Sequence, residues 1–270
     1  MKKSILTIFL FFTLSFCQIQ YGGSPKFLDT RNVNIVSPEL DNTIDRDFDP
    51  MVFQYGVEYA MNINVLDQAI PVYNDDEVTF LLSFYSKGAY GIGLNFDKFY
   101  LTENSKLFLY DIDESYYLGA LTNENNKQDN IFSTSIIKGD TIVLELTLPI
   151  DEVDSIQLHI NSLIHDSTDI LNYHGTHNDS SREDCNTNVI CSQGDDWRDQ
   201  INGVVRVSMG SGLCSASVIN NTENDRTPYI LFADHCLSGS ASGYVFYFNY
   251  QSTSCSGTSG SLNQSISGST

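Results

Sequence analysis

The sequence predicts an all-β chain built as two unlike β modules in series. Three observations lead there. Short runs of β-branched and aromatic residues recur between Gly, Asn, Asp and Pro, and no long stretch carries a 3.6-residue apolar period. The charge is lopsided: the chain carries -20 overall, yet residues 185–270 hold only six acids against three bases, a net -3 that leaves -17 for residues 1–184. After removal of the N-terminal Cys17, every cysteine falls in the last third: Cys185, Cys191, Cys214, Cys236 and Cys255.

The N-terminus reads as an export signal. Lys2 and Lys3 precede an apolar run from Ile5 to Phe16 that is short for a bilayer span, and Ser15-Phe16-Cys17 offers a small-x-small cleavage site, so residues 1–17 are expected to be removed and Gln18 to start the mature chain. Acylation of Cys17 is the second reading, disfavoured by the bulk of Phe16. No other stretch is apolar and long enough for a membrane helix. Export to an oxidising compartment fits the cysteine usage. The strongly acidic balance repels phosphate backbones and anionic lipid, which argues against nucleic acid or membrane surfaces as partners.

Residues 18–50, rich in Asp, Asn and Pro, read as an irregular lead-in within a first module spanning 18–164. Its strands are expected at Val78–Tyr85, Lys106–Tyr110, Asp140–Leu148 and Ser155–Ile160, and their spacing suggests an antiparallel sandwich or jelly roll. Residues 165–184, dense in Ser, Asn, Asp and His, read as a linker. The second module, 185–270, is expected to have strands at Ile201–Val207, Cys214–Ile219, Tyr229–Ala233 and Tyr244–Tyr250. Its tail, 252–270, is Ser/Gly-rich and reads as a loose end or a long surface loop.

The most informative segment is Tyr229-Ile-Leu-Phe-Ala-Asp-His-Cys236, an apolar strand ending in a histidine and then a cysteine. A proton-transfer histidine needs a rigid strand end, where one ring nitrogen can face a nucleophile and the other a carboxylate. His235 is therefore the candidate general base. The adjacent Asp234 is read as a solvated acid, because a neighbouring side chain is poorly placed to orient the same ring. Ser211, Ser215 and Ser217 lie nearby, but none has the glycine context of a nucleophile elbow, and none is nominated.

Nearly all of residues 185–270 resembles, in one register, the lysyl-endopeptidase-like branch of the trypsin-like serine peptidases. The likeness rests on Cys185-Asn-Thr-Asn-Val-Ile-Cys191, Gly194-Asp-Asp-Trp-Arg-Asp199, Val218-Ile-Asn-Asn-Thr-Glu-Asn-Asp-Arg226, Phe232-Ala-Asp-His-Cys236, Phe248-Asn-Tyr-Gln-Ser-Thr-Ser-Cys255 and Gln264-Ser-Ile-Ser-Gly-Ser-Thr270. Gly88-Ala-Tyr-Gly-Ile-Gly-Leu94 and Lys138-Gly-Asp-Thr-Ile-Val-Leu-Glu145 resemble, more weakly, parts of the long pro-region that precedes such domains. The resemblance implies a β-sandwich-like pro-region followed by the first barrel of a double β-barrel, with the second barrel missing from these residues. It implies His235 as general base, bridges Cys214–Cys236 and Cys191–Cys255, and for Cys185 a partner beyond residue 270. The triad aspartate and serine would also lie beyond residue 270, so residues 1–270 alone should be inactive. Substrates would be polypeptides cut after a basic residue, with no cofactor and no metal. The rival reading is a non-catalytic secreted binding or surface protein, or an inactive homologue.

Weaker signals complete the inventory. His174, His177 and Cys185 lack the four-ligand spacing of a zinc site. Gly91-Ile-Gly93 is not a phosphate loop, since no helix pattern follows it. Asn220-Asn-Thr222 is a glycosylation sequon. Arg182 is the sole Lys or Arg between Lys138 and Arg198, and reads equally as a solvated linker residue and as a processing site ahead of Cys185.

Overall fold

A computed structural model describes residues 20–46, 50–172, 187–237, 240–257, 260–262 and 264–268. The chain is all-β, and the described residues form three sheets. Strands β1 (Ile35–Val36), β2 (Phe53–Gln54), β3 (Gly56–Asn64), β4 (Ile70–Asn74), β5 (Glu77–Tyr85) and β6 (Gly91–Tyr100) come first, with a one-turn helix α1 (Val65–Gln68) between β3 and β4. They are followed by β7 (Lys106–Asp111), β8 (Tyr117–Leu121), β9 (Phe132–Ser133), β10 (Ile137–Lys138), β11 (Thr141–Pro149) and β12 (Gln157–Asp166). The second half adds a short helix α2 (Arg198–Asn202), then β13 (Val204–Met209), β14 (Gly212–Ile219), β15 (Tyr229–Phe232), β16 (Tyr244–Phe248) and β17 (Ser265–Ser267).

The first sheet runs β1-β5-β11-β7-β8 with β4 also on β5, and the second runs β10-β6-β12-β3 with β9 on β6. Their facing side chains form one core. Leu82, Phe84, Ile142, Leu144, Leu146, Leu107 and Leu109 meet Ile92, Leu94, Phe96, Leu158, Ile160 and Leu163. The period of two is visible in Ile92, Leu94 and Phe96, and again in Ile142, Leu144 and Leu146.

The other face of the first sheet is also apolar, and the lead-in covers it. Phe27, Leu28 and Val33 pack on Leu81, Phe108, Tyr110 and Val143, with Phe27 edge-on to Tyr110 at 5.1 Å between ring centroids. Glu145, buried on this face, accepts from the Lys26 main-chain N–H at 2.6 Å and from the Tyr110 hydroxyl at 3.2 Å. Residues 20–33 thus form a strap without regular strand of their own, fixed by what they cover.

The third sheet, β15-β14-β13-β16-β17, carries its own core of Val205, Val207, Met209, Ala216, Cys236, Tyr244 and Phe246. The outer face of the second sheet meets this module. There Ile136, Ile164, Ile170 and Tyr55 cluster, with Phe53 and Leu213 against them. Gly91 and Gly93 make room for this contact. A Cβ on Gly91 would stand 2.4 Å from the Ile136 Cγ2, and one on Gly93 would stand 2.9 Å from the Ile136 Cδ1. The two glycines lie in strand β6 and serve packing.

Several boundaries differ from the sequence reading. β12 continues through His165 and Asp166, the first two residues of the expected linker. Asp166 is fully buried, and its carboxylate accepts from the main-chain N–H groups of Thr168 at 2.9 Å and Ile170 at 2.8 Å, which fastens the strand end. Ile201 belongs to helix α2, so the strand expected at Ile201–Val207 starts at Val204. The Ser/Gly-rich tail contributes β17, whose Val245↔Ser267 and Tyr247↔Ser265 pairings extend the third sheet. Phe53–Gln54, expected in the first module, pairs instead with β14 of the second. The signal segment, the zinc-like histidines, Arg182 and Cys185 lie outside the described residues.

Candidate active site

His235 sits where the sequence reading puts it, at the end of β15. The strand stops at Phe232, Ala233 stays extended, and Asp234–Cys236 form a 3-10 turn closed by hydrogen bonds from Cys236 N–H to the Ala233 carbonyl and from Leu237 N–H to the Asp234 carbonyl, both 3.0 Å. The strand fixes the backbone on one side of the histidine. A disulfide fixes it on the other: Cys236 is bonded to Cys214 of β14, with Cα atoms 6.0 Å apart. β14 and β15 pair from Ala216↔Phe232 to Ile219↔Tyr229, so the bridge clamps the two strands just past their last main-chain pair. The half-buried imidazole is therefore carried on backbone held at both ends.

A second disulfide, Cys191–Cys255, ties the 3-10 segment Ser192–Trp197 and α2 to the tail. Arg198 secures the same corner. Its guanidinium donates to the carbonyls of Val189, Ile190 and Cys191 and to the Asp195 carboxylate.

The histidine opens on a cleft of about 560 Å³. It is lined in the second module by Leu213, Cys214, Ser215 and Cys236 and by Arg206 and Tyr250. The Arg206 guanidinium lies 4.5 Å from the Tyr250 ring centroid and 5.7 Å from that of Tyr247, a double cation–π contact. The remaining lining comes from Met51 and Phe53 of the first module and from Ile170, just past β12. The cleft thus lies on the seam between modules, which no local pattern in the sequence indicates.

The chemistry available is that of an oriented imidazole. Asp234 is exposed and points its charge to solvent, as expected of an acid next to the ring in sequence. Ser215 borders the cleft and is exposed, whereas Ser211 is buried and gives its carbonyl to the Tyr55 N–H at 2.9 Å. Among the described residues, no hydrogen bond links the ring to a serine or a carboxylate, so the set that would complete proton transfer is not assembled by them. Cys214, His235 and Cys236 bring two sulfurs and a ring nitrogen within 4.8 Å of one another. The sulfurs are bonded to each other and offer no thiolate, which removes the donors that would make the trio a soft-metal site.

The second module is thus an all-β unit that carries a disulfide-braced histidine at a strand end. Residues 178–270 match the family model described as lysyl endopeptidase, C-terminal domain. The match supports a lysyl endopeptidase-like relationship for this part of the chain and marks the protein as peptidase-related. Polypeptide substrates and an extracellular setting are consistent with it, as are the two disulfides. Among the described residues no helix is long and apolar enough to cross a membrane.

Proposed function

We propose that the protein is the precursor of an exported serine endopeptidase that cuts polypeptides after a basic residue. The observation that carries the reading is His235, presented by β15 and braced by Cys214–Cys236 inside the segment that matches the lysyl endopeptidase domain. In this role the imidazole takes the proton of a serine hydroxyl as that oxygen attacks the peptide carbonyl. It then returns the proton to the leaving amine. The serine, and the aspartate that would orient the ring, are assigned to residues outside 1–270, and Cys185 is assigned a disulfide partner there. No metal or cofactor enters this chemistry.

The first module, 18–164, acts as a pro-region behind a signal peptide ending at Cys17, and residues 165–184 connect it to the peptidase module. Processing after Arg182 would separate the two. The test is expression from the natural reading frame in the secreting host, followed by labelling with a fluorophosphonate probe and digestion of a lysine- and arginine-containing peptide set. Labelling together with cleavage after basic residues supports the reading. A secreted, folded product that neither labels nor cleaves refutes it.

A further inference from the structure

We infer that Met51–Gln54 is a tethered occupant of the substrate-binding edge beside His235, so that the first module keeps an extended polypeptide away from the imidazole until it is displaced. The inference deepens the peptidase reading and rests on it.

Strand β14 is eight residues long, but β15 pairs only with its second half, Ala216–Ile219. The first half would present unpaired main-chain groups on that side, next to the disulfide that carries His235. Such an edge is a template for any extended chain. In this structure β2 takes it, pairing antiparallel as Gln54↔Gly212 and Phe53↔Leu213, and the Tyr55 N–H extends the ladder to the Ser211 carbonyl at 2.9 Å.

The side chains of this segment alternate as a strand requires. Val52, only 6% exposed, points into the core of the second module with Val205, Val207 and Phe246. Phe53 turns the other way to form a wall of the His235 cleft, and Met51 stands at its mouth. Tyr55 locks the end of the segment, donating its hydroxyl to the Gly210 carbonyl at 2.6 Å. One short stretch therefore holds the main-chain edge and narrows the path to the imidazole. A free polypeptide would have to supply the same main-chain hydrogen bonds, while competing with a segment whose tether holds it at an effective concentration on the order of millimolar.

Diethylpyrocarbonate, which acylates neutral imidazole, tests the cover without requiring turnover. Reaction of each histidine in the 270-residue chain is followed by peptide mass spectrometry, with His159, which lies in β12 outside the cleft, as internal reference. We expect His235 to react at least tenfold more slowly in the folded chain than in urea. In Met51→Ala/Phe53→Ala it should recover most of that factor while His159 is unchanged. Met51→Ala alone, at a position 70% exposed and so harmless to folding, should recover part of it. Equal rates for His235 in the folded and unfolded wild-type chain would overturn the inference, as would no gain from Met51→Ala. A failure here leaves the peptidase reading standing, since that is judged by probe labelling and cleavage.

Discussion

The Tyr55 hydroxyl donates to the Gly210 carbonyl at 2.6 Å and lies 3.1 Å from the Ser208 hydroxyl, joining residues 155 apart in sequence at the seam between the two modules. Tyr55 is 1% exposed, and burial pushes its phenol far above the ordinary range, so it remains a neutral donor. Tyr55→Phe removes the shorter of two donors to the Gly210 carbonyl and leaves it only the Ser208 hydroxyl at 3.3 Å, at a cost of about 1 kcal/mol. The expected result is a lower urea midpoint for the whole chain, measured by tyrosine and tryptophan fluorescence.

Gly210 should be less tolerant still. It has φ +64°, and a Cβ there would stand 2.5 Å from the Glu58 carboxylate and 2.8 Å from the Arg46 Nε. Glu58 is buried and already accepts from Arg46, from the Asn95 amide at 3.0 Å and from the Ser162 hydroxyl at 2.5 Å, so the pair has little room to retreat. The left-handed backbone alone costs a non-glycine residue about 1–2 kcal/mol, and displacing the ion pair adds to that. Gly210→Ala is therefore expected to destabilise the chain by more than Tyr55→Phe in the same urea titration.

The bridge under the histidine closes a loop with a sequence separation of 22. Replacing both cysteines, Cys214→Ala/Cys236→Ala, should cost about 3 kcal/mol through the added entropy of the unfolded chain. Thermal unfolding with and without reductant checks this: the wild-type chain should lose stability on reduction, and the double variant should lose no further contribution from this bridge.

Stability should also fall on mild acidification. Burial holds His165 below its ordinary value of 6.5, and the ring sits 2.8 Å from the Ser86 hydroxyl. The unfolded chain takes up this proton more readily than the folded one. The contribution is therefore complete above the unfolded value and is lost as pH falls through 6.5 toward the depressed folded value. Asp166, whose carboxyl is pushed up by burial, works in the opposite sense: its stabilisation grows as pH falls through the folded value toward 3.8. Urea titrations at pH 7.5 and 5.5 should show a loss in the wild-type chain that His165→Gln reduces.

The elements legible in the sequence are those whose burial follows a simple period. β5, β7 and β11 are nearly continuous apolar runs, because the sandwich core lies on one face and the lead-in strap or interior contacts on the other. β3 was not legible, since Gly56–Asn64 mixes a buried Glu58 with polar positions whose partners lie in the lead-in and in other strands. β2 has only two residues, and its partner strand is remote in sequence, so no local pattern announces it. The site divides in the same way. The position of His235 and of its flanking cysteine was legible because strand, histidine and bridge are contiguous or nearly so. Arg206, Tyr250, Met51 and Phe53 became visible only when the fold brought them to one cleft.

The peptidase account assigns proton transfer to His235 and to no other group within these residues. The most direct measurement is the kcat of the product of the natural reading frame, wild type against His235→Ala, on a lysine-containing peptide, with circular dichroism to confirm folding. The account predicts a loss of about 10⁴-fold or more with the fold retained. A folded variant that keeps its rate within tenfold would contradict it.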